Sequence, residues 1–468
     1  MPELKEWTVM VFLAGDNNLS EDMLYSLKEM KLAGTSPEVA VVAQFDSNEP
    51  GLPTQRFVLN AGAGSTPSGV VEKDFVEFVD VETNSGDKEV VADFIAWAVR
   101  TAPARHYLVV FSGHGSQAEE GFLLSDDNPL DAIDLAELKQ IFPLAKEKLD
   151  EAGMPAGTPG VPDKFDILGL DSCLMSGAEV CYQLREHVSL CVGPEGFEPN
   201  TGWPYRQIVG RVIRQPAITP PELAAAVVDE YVRYYYDYIL TGRSVEMAAC
   251  DLAYADDLRD AVRGLAAQLR GALPDGGTEK FDGTNAILNA VVLAHWDAQG
   301  FKFDQYCDLY DFCDRLQTHL AAQAGAPAQD IKTACEAVKR AVRDGQPGQP
   351  ARRFVTRSCY SGPTFQYAFG LSIFLPWFLP TPAEYRALDF VVDTEWNTFV
   401  DKYVLHSRRA SRPGVEPFPV SFDSPGKSRG PDKPGTMKNS PRKWNKSQRL
   451  VDLINAPAAD AGAGGEES

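Results

Sequence analysis

A cysteine becomes a nucleophile when a neighbouring histidine or a fan of backbone N–H groups favours its thiolate, and Cys173 has a claim to both. It stands in Leu-Gly-Leu-Asp-Ser-Cys-Leu-Met, residues 168–175, between a strand ending at Leu170 and a helix predicted over Met175 to Leu184. The amides at the start of that helix are expected to face the thiolate and a developing oxyanion. His114 lies upstream in Ser-Gly-His-Gly, residues 112–115, where glycine on either side lets a substrate backbone approach closely. Gly115 also offers an unhindered N–H to an oxyanion. Nucleophile, base and amide donors together are the parts of acyl transfer. Taken alone, a post-strand cysteine is most often a packed thiol; its pairing with His114 is what favours the nucleophile. His106, His187, His295, His319 and His406 lack ligand spacing and read as structural.

The elements that must bring these two residues together alternate between apolar runs and helical periodicity. Trp7–Leu13, Glu38–Phe45, Thr54–Leu59, Tyr107–Phe111 and Phe165–Leu170 are β-branched or apolar runs that predict strands, and Gly121–Leu124 predicts a short one. Leu19–Leu32 and Lys88–Val99 carry helical spacing, and Asp134–Glu137 has the capping pattern of a helix start leading to Phe142. Strands buried on both faces and alternating with helices predict an α/β fold with a mostly parallel sheet between helical layers. Active sites in such sheets lie at the carboxyl ends of strands. His114 and Cys173 both fall there, as do Asp16 and Asn17 after the first strand.

Beyond the strand Leu190–Gly193 the chain turns more helical, with amphipathic segments at Pro220–Tyr238, Tyr254–Leu273 and Leu309–Ala322. Strand candidates at Val245–Cys250 and Phe369–Phe374 interrupt them. The expected organisation is a catalytic core over residues 1–215 and a C-terminal subdomain over 216–407 that continues the sheet. Residues 408–468, rich in Pro, Gly and Ser with eleven basic and seven acidic residues, are expected to form a disordered tail.

Composition bounds the rest. The 468 residues are 44% hydrophobic and 24% charged, with a formal charge of −22, which suits a globular protein that repels nucleic acid and anionic membrane and attracts basic groups. No run reaches the roughly 18 apolar residues of a membrane span, and the start has no basic region followed by an apolar stretch. These features predict a soluble, cytoplasmic protein, with a monomer favoured. None of the eight cysteines forms a Cys-x-x-Cys pair, and no EF-hand loop exists, so no metal ligands are assigned.

Five segments, WTVMVFLAGDNNLS at 7–20, LVVFSGHGS at 108–116, ILGLDSCLM at 167–175, VGPEGFEPNTGWPY at 192–205 and GLSIFLP at 370–376, resemble the clostripain family of cysteine peptidases in that family's order. The resemblance implies the caspase-like α/β/α sandwich, extended by a C-terminal α/β subdomain rich in helices. It implies a His114–Cys173 dyad acting through an acyl-enzyme, with the N–H groups of Gly115 and Cys173 as oxyanion hole. Cleavage after Arg or Lys is implied through the acidic residue two positions before the nucleophile, here Asp171, for which helix capping is the alternative role. Glu195, Glu198 and Trp203 are expected to line the same cleft. Some family members are activated by cleavage between the dyad residues, which puts Lys146, Lys148 and Lys164 forward as self-cleavage sites. Some respond to calcium; no site for it is assigned, and no other cofactor is expected.

The expected activity is therefore a cysteine endopeptidase acting on proteins or peptides at Arg or Lys. The alternatives are a catalytically silent caspase-like module that binds basic peptides as an adaptor, and a non-proteolytic hydrolase or transferase using Cys173. A binding module needs no nucleophile, which weighs against the former.

Overall fold

The computed structural model describes residues 3–59, 74–79, 83–117, 123–274, 285–302, 305–378 and 380–410. The expected tail lies, from residue 411 onward, outside them. Among the described residues fourteen strands follow in chain order: β1 (Lys5–Gly15), β2 (Val39–Ser47), β3 (Gln55–Val58), β4 (Phe75–Phe78), β5 (Ala104–Ser112), β6 (Leu123–Asp127) and β7 (Leu130–Ile133) in the first part. The second part holds β8 (Phe165–Asp171), β9 (Val188–Gly193), β10 (Val245–Asp251), β11 (Gly300–Phe301), β12 (Tyr306–Asp308), β13 (Val355–Ser361) and β14 (Ser372–Phe374).

Nine of them make one sheet in the order β13-β10-β9-β8-β5-β1-β2-β3-β4. The five central strands, β9 to β2, run parallel, and the outer strands on both flanks pair antiparallel. Strand β1 shows why the sheet is central: Met10, Phe12 and Ala14 enter the core on one face, while Trp7, Val9, Val11 and Leu13 enter the core on the other. A strand buried on both faces has no polar side to turn to water, so helices must cover both. Helices Lys88–Thr101, Leu135–Glu151, Ala178–Leu184 and Ala255–Ala272 cover the first face, and Ser20–Ala33, Tyr205–Arg214 and Pro220–Tyr234 the second.

The helix opened by Asp134 has the reciprocal box expected of it, Asp134 accepting from the Glu137 N–H and Glu137 reaching back to the Asp134 N–H. It runs on through Pro143 to Glu151, well past Phe142. The C-terminal part continues the main sheet through β10 and β13, the latter not foreseen. The segment expected to add a further strand at 369–374 instead forms β14 in a separate three-stranded sheet with β11 and β12. Among the described residues no helix is long and apolar enough to cross a membrane.

Candidate active site

Strand register places the two reactive residues at one height. β5 and β8 are parallel neighbours in which Ser112 lies opposite Asp171, and both strands end there. His114 and Cys173 each follow two residues later and line one cleft. The two connections are drawn together by the Gly113 N–H, which donates to the Asp171 carbonyl at 3.2 Å. A Cβ on Gly115 would sit 2.8 Å from the Cys173 carbonyl oxygen, so the approach of the two loops requires glycine there. Leu174, immediately after Cys173, is held at φ 67°, a conformation that costs a branched residue about 1–3 kcal/mol. Its N–H donates to the Gly196 carbonyl at 2.8 Å, which fastens the strained turn to the loop after β9.

The helix after Cys173 begins at Ala178 and not at Met175, so its N-terminal amides do not reach the sulfur as the sequence suggested. The N–H that does reach it belongs to Glu198, which donates to Sγ at 3.3 Å. Burial, and after it the neighbouring Glu198 and Asp171 carboxyls, push the Cys173 thiol up to about 12. The resting cysteine is a neutral thiol. Burial also holds His114 below the usual imidazole range, only partly offset by Asp127. His114 Nε2 pairs with Asn18 Oδ1 at 2.8 Å, and with the proton on Nε2 the basic nitrogen is Nδ1. A neutral imidazole and a neutral thiol suit proton transfer at the moment of attack. Asn18 was missed by sequence reasoning, which singled out its neighbours Asp16 and Asn17; the cue was its place after β1 at the same carboxyl edge.

The cleft floor is acidic. Asp171 is 4% exposed, and its Oδ2 accepts from the Ser112 and Tyr205 hydroxyls, each at 2.7 Å. Glu198 lines the same cleft. Asp171 Oδ1 and Glu198 Oε1 are buried without a hydrogen bond of good geometry. Desolvation raises the Asp171 carboxyl to about 6 and that of Glu198 well above its ordinary range, the nearby Trp203 and Tyr231 donors only softening this. Gly202, at φ 62°, closes over Asp171, where a Cβ would come within 2.7 Å of Oδ1. Leu19 and Met23 supply an apolar wall. An apolar wall above two carboxyls matches a side chain with a methylene stem and a cationic head.

The clostripain family model matches residues 11–403. The chain belongs to the clostripain family. Clostripain of Hathewaya histolytica is 24% identical over 369 residues, covering 66% of this chain and 65% of that protein. Among solved structures, a secreted C11 cysteine protease of Bacteroides thetaiotaomicron in complex with an irreversible peptide inhibitor superposes with a TM-score of 0.57 at 18% identity. An inactive zymogen C11 protease of Parabacteroides distasonis does so with a TM-score of 0.52, also at 18% identity. Both matches cover 84% of this chain and 99% of the other. The caspase-like α/β/α fold expected from the clostripain resemblance is the fold this chain has.

Within this clostripain-family site two expected cleft residues do not line the cleft. Trp203 is buried beneath the sheet: its ring covers Gly169, where a Cβ would approach it to 2.6 Å. Glu195 is 0% exposed and turns toward the chain before β14, its Oε2 accepting from the Gly370 N–H at 2.8 Å. Its carboxyl neighbours those of Asp308 and Glu246, and the Glu246 Oε1 accepts from the Gly196 N–H at 2.7 Å. Both residues read as cleft candidates because loop sequence carries no record of which way a side chain turns.

Burial raises all three carboxyls, Asp308 to about 7, Glu246 to about 8 and Glu195 well above its ordinary range. Raised carboxyls give the native state more protons than the unfolded chain, so their contribution is complete below the unfolded value of about 4. It is lost as pH rises through about 7–8. Glu195→Gln keeps the acceptor for Gly370 and removes one titrating group from the three. The fall in melting temperature between pH 5.5 and 8.5, followed by circular dichroism, is therefore expected to be smaller in Glu195→Gln than in the wild type; equal falls would remove the Glu195 carboxyl from the account.

Of the expected self-cleavage positions, Lys146 and Lys148 lie inside the helix Leu135–Glu151, where the backbone is not extended for a protease. Lys146 donates to the Asp163 carbonyl, and Lys148 pairs with Glu89 at 3.0 Å. Lys164 alone of the three lies outside a helix, exposed just before β8. Among the described residues no three His, Cys, Asp or Glu side chains converge as a metal-ligand set. No residues here are assigned to calcium, and no step below runs through it.

Proposed function

We propose that this protein is a cysteine endopeptidase that cleaves after Arg or Lys. The observation that carries the reading is the single cleft in which His114 and Cys173 open above the buried carboxyls of Asp171 and Glu198. The basic side chain enters between Leu19 and Met23 and sets its charge against those carboxyls. His114 Nδ1 takes the thiol proton as Sγ attacks the scissile carbonyl carbon, and the N–H groups of Gly115 and Cys173 receive the oxyanion. Collapse of the tetrahedral intermediate breaks the C–N bond, with His114 returning its proton to the leaving amine. Water, deprotonated by the same imidazole, then hydrolyses the thioester and frees the enzyme.

Charge selection at the floor makes a direct test. Fluorogenic peptide amides that differ only in Arg, Lys, Leu or Asp before the scissile bond are expected to rank Arg and Lys first, Leu far behind and Asp last, because an anion would meet two carboxyls. Hydrolysis of the Asp peptide at the Arg rate would defeat the assignment of the acidic floor.

A further inference from the structure

The segment Gly370–Pro376 was singled out in the sequence, yet none of its residues lines the cleft. Its backbone nevertheless bonds to the segment after Cys173 and to the loop after β9, and one of its side chains reaches the segment after His114. The Gly370 carbonyl accepts from Ser176 Oγ at 2.8 Å, and the Ser372 N–H donates to the Ser176 carbonyl at 3.0 Å. The Phe374 N–H donates to Glu179 Oε1 at 3.1 Å. Through Glu195 the same segment holds the loop whose Glu198 N–H meets the nucleophilic sulfur.

Beyond the direct Gly113–Asp171 bond, the Ser372 hydroxyl forms a second link between the two halves of the dyad. Its Oγ donates to the Ser176 carbonyl at 3.1 Å and accepts from Gln117 Nε2 at 2.5 Å. Ser176 is three residues past Cys173, and Gln117 three past His114. Gln117 and Ser372 are fully buried. Burying a hydroxyl and an amide that an apolar pair would replace more cheaply is the mark of a contact kept for geometry. The junction is tight: a Cβ on Gly177 would lie 3.0 Å from Gln117 Oε1.

We propose that Gln117 and Ser372 are positioning residues: their hydrogen bond joins the histidine-bearing and cysteine-bearing loops through β14 and sets the approach of His114 to Cys173. The C-terminal subdomain thereby completes the catalytic geometry of the core. The proposal rests on the dyad reading above. Misplacement of reacting groups by about 1 Å costs on the order of 10²-fold in rate. Substrate binding at Asp171 and Glu198 does not involve the junction.

The test is a double-mutant cycle on the full chain with Gln117→Met, Ser372→Ala and both together, assayed on an Arg peptide amide beside Cys173→Ala and His114→Ala. Gln117→Met removes the bond without altering β14, so it carries the test even if Ser372→Ala folds poorly. Expected is a fall in kcat of about 10-fold to 10²-fold in each single variant, with KM within about threefold. The double variant should be no slower than the slower single, as for two groups acting through one bond. Unchanged kcat, additive losses, or a rise in KM that tracks a lowered melting temperature would overturn the positioning role. If Cys173→Ala or His114→Ala hydrolysed the substrate at the wild-type rate, the dyad would fall and the proposal with it; if both were inactive while the junction variants kept full kcat, the junction alone would be refuted.

Discussion

Cys173→Ala is expected to remove hydrolysis of an Arg peptide amide down to background, and His114→Ala to lower kcat by about 10²-fold to 10⁴-fold, the usual span for a general base. The difference between them follows from what remains. Without Sγ there is no atom to form the acyl-enzyme; without the imidazole the thiol survives, but burial and the adjoining carboxyls hold it near 12, so its thiolate is scarce at neutral pH. The same environment makes a second reading of this prediction available in the free protein. Alkylation of Cys173 by iodoacetamide, followed by intact mass, should keep rising from pH 7 to pH 10 without levelling near the ordinary thiol value of 9.0. A plateau near pH 7 in the wild type would mean a resting thiolate, and the proton-transfer step assigned to His114 would have to be abandoned.

Asp171→Asn is expected to cost on the order of 10²-fold to 10³-fold in kcat/KM for Arg and Lys substrates, about 3–4 kcal/mol, which falls inside the 2–5 kcal/mol lost when one partner of a buried charged pair is removed. Asparagine can still accept from Ser112 and Tyr205 through its amide oxygen, so the local hydrogen bonds survive while the charge does not. A Leu substrate should change little, and iodoacetamide should still label Cys173. The wild type carries a pH signature of the same group. Its carboxyl is raised to about 6 by desolvation, and only the ionised form pairs with a cation. KM for an Arg peptide should therefore climb as pH falls through about 6 in the wild type and lose that limb in Asp171→Asn. An Asn variant that keeps wild-type preference for Arg would return Asp171 to a purely structural role.

Much of the scaffold was readable because its strands are apolar on both faces. Runs such as Trp7–Leu13 and Phe165–Leu170 have no polar alternation, which only a sheet covered on both sides explains, and the connections after them are where loops can carry reactive groups. Cys173 and His114 were legible for that reason. The edges were harder: β4 and β13 were missed, and β14 was assigned to the main sheet. In β13, Thr356, Arg357, Ser358 and Tyr360 are partly or fully exposed, so the apolar run that marks a central strand is absent. The helix after Cys173 starts late because Ser176 gives its hydroxyl to the distant Gly370 carbonyl and its N–H to the Pro194 carbonyl, tertiary bonds that compete with helix formation.

Which residue types stand near the carboxyl ends of β5 and β8 could be read from the chain alone, because strand periodicity and glycine placement are local properties. Folding alone brings Asn18 to His114, turns Glu198 to the sulfur and Glu195 away from it, and joins Gln117 to Ser372 across 255 residues of chain. It also decided the resting charge of the site. A thiol pushed up to about 12 and a carboxyl raised to about 6 are consequences of desolvation, and how much water a group loses depends on every element packed around it rather than on its neighbours in the chain.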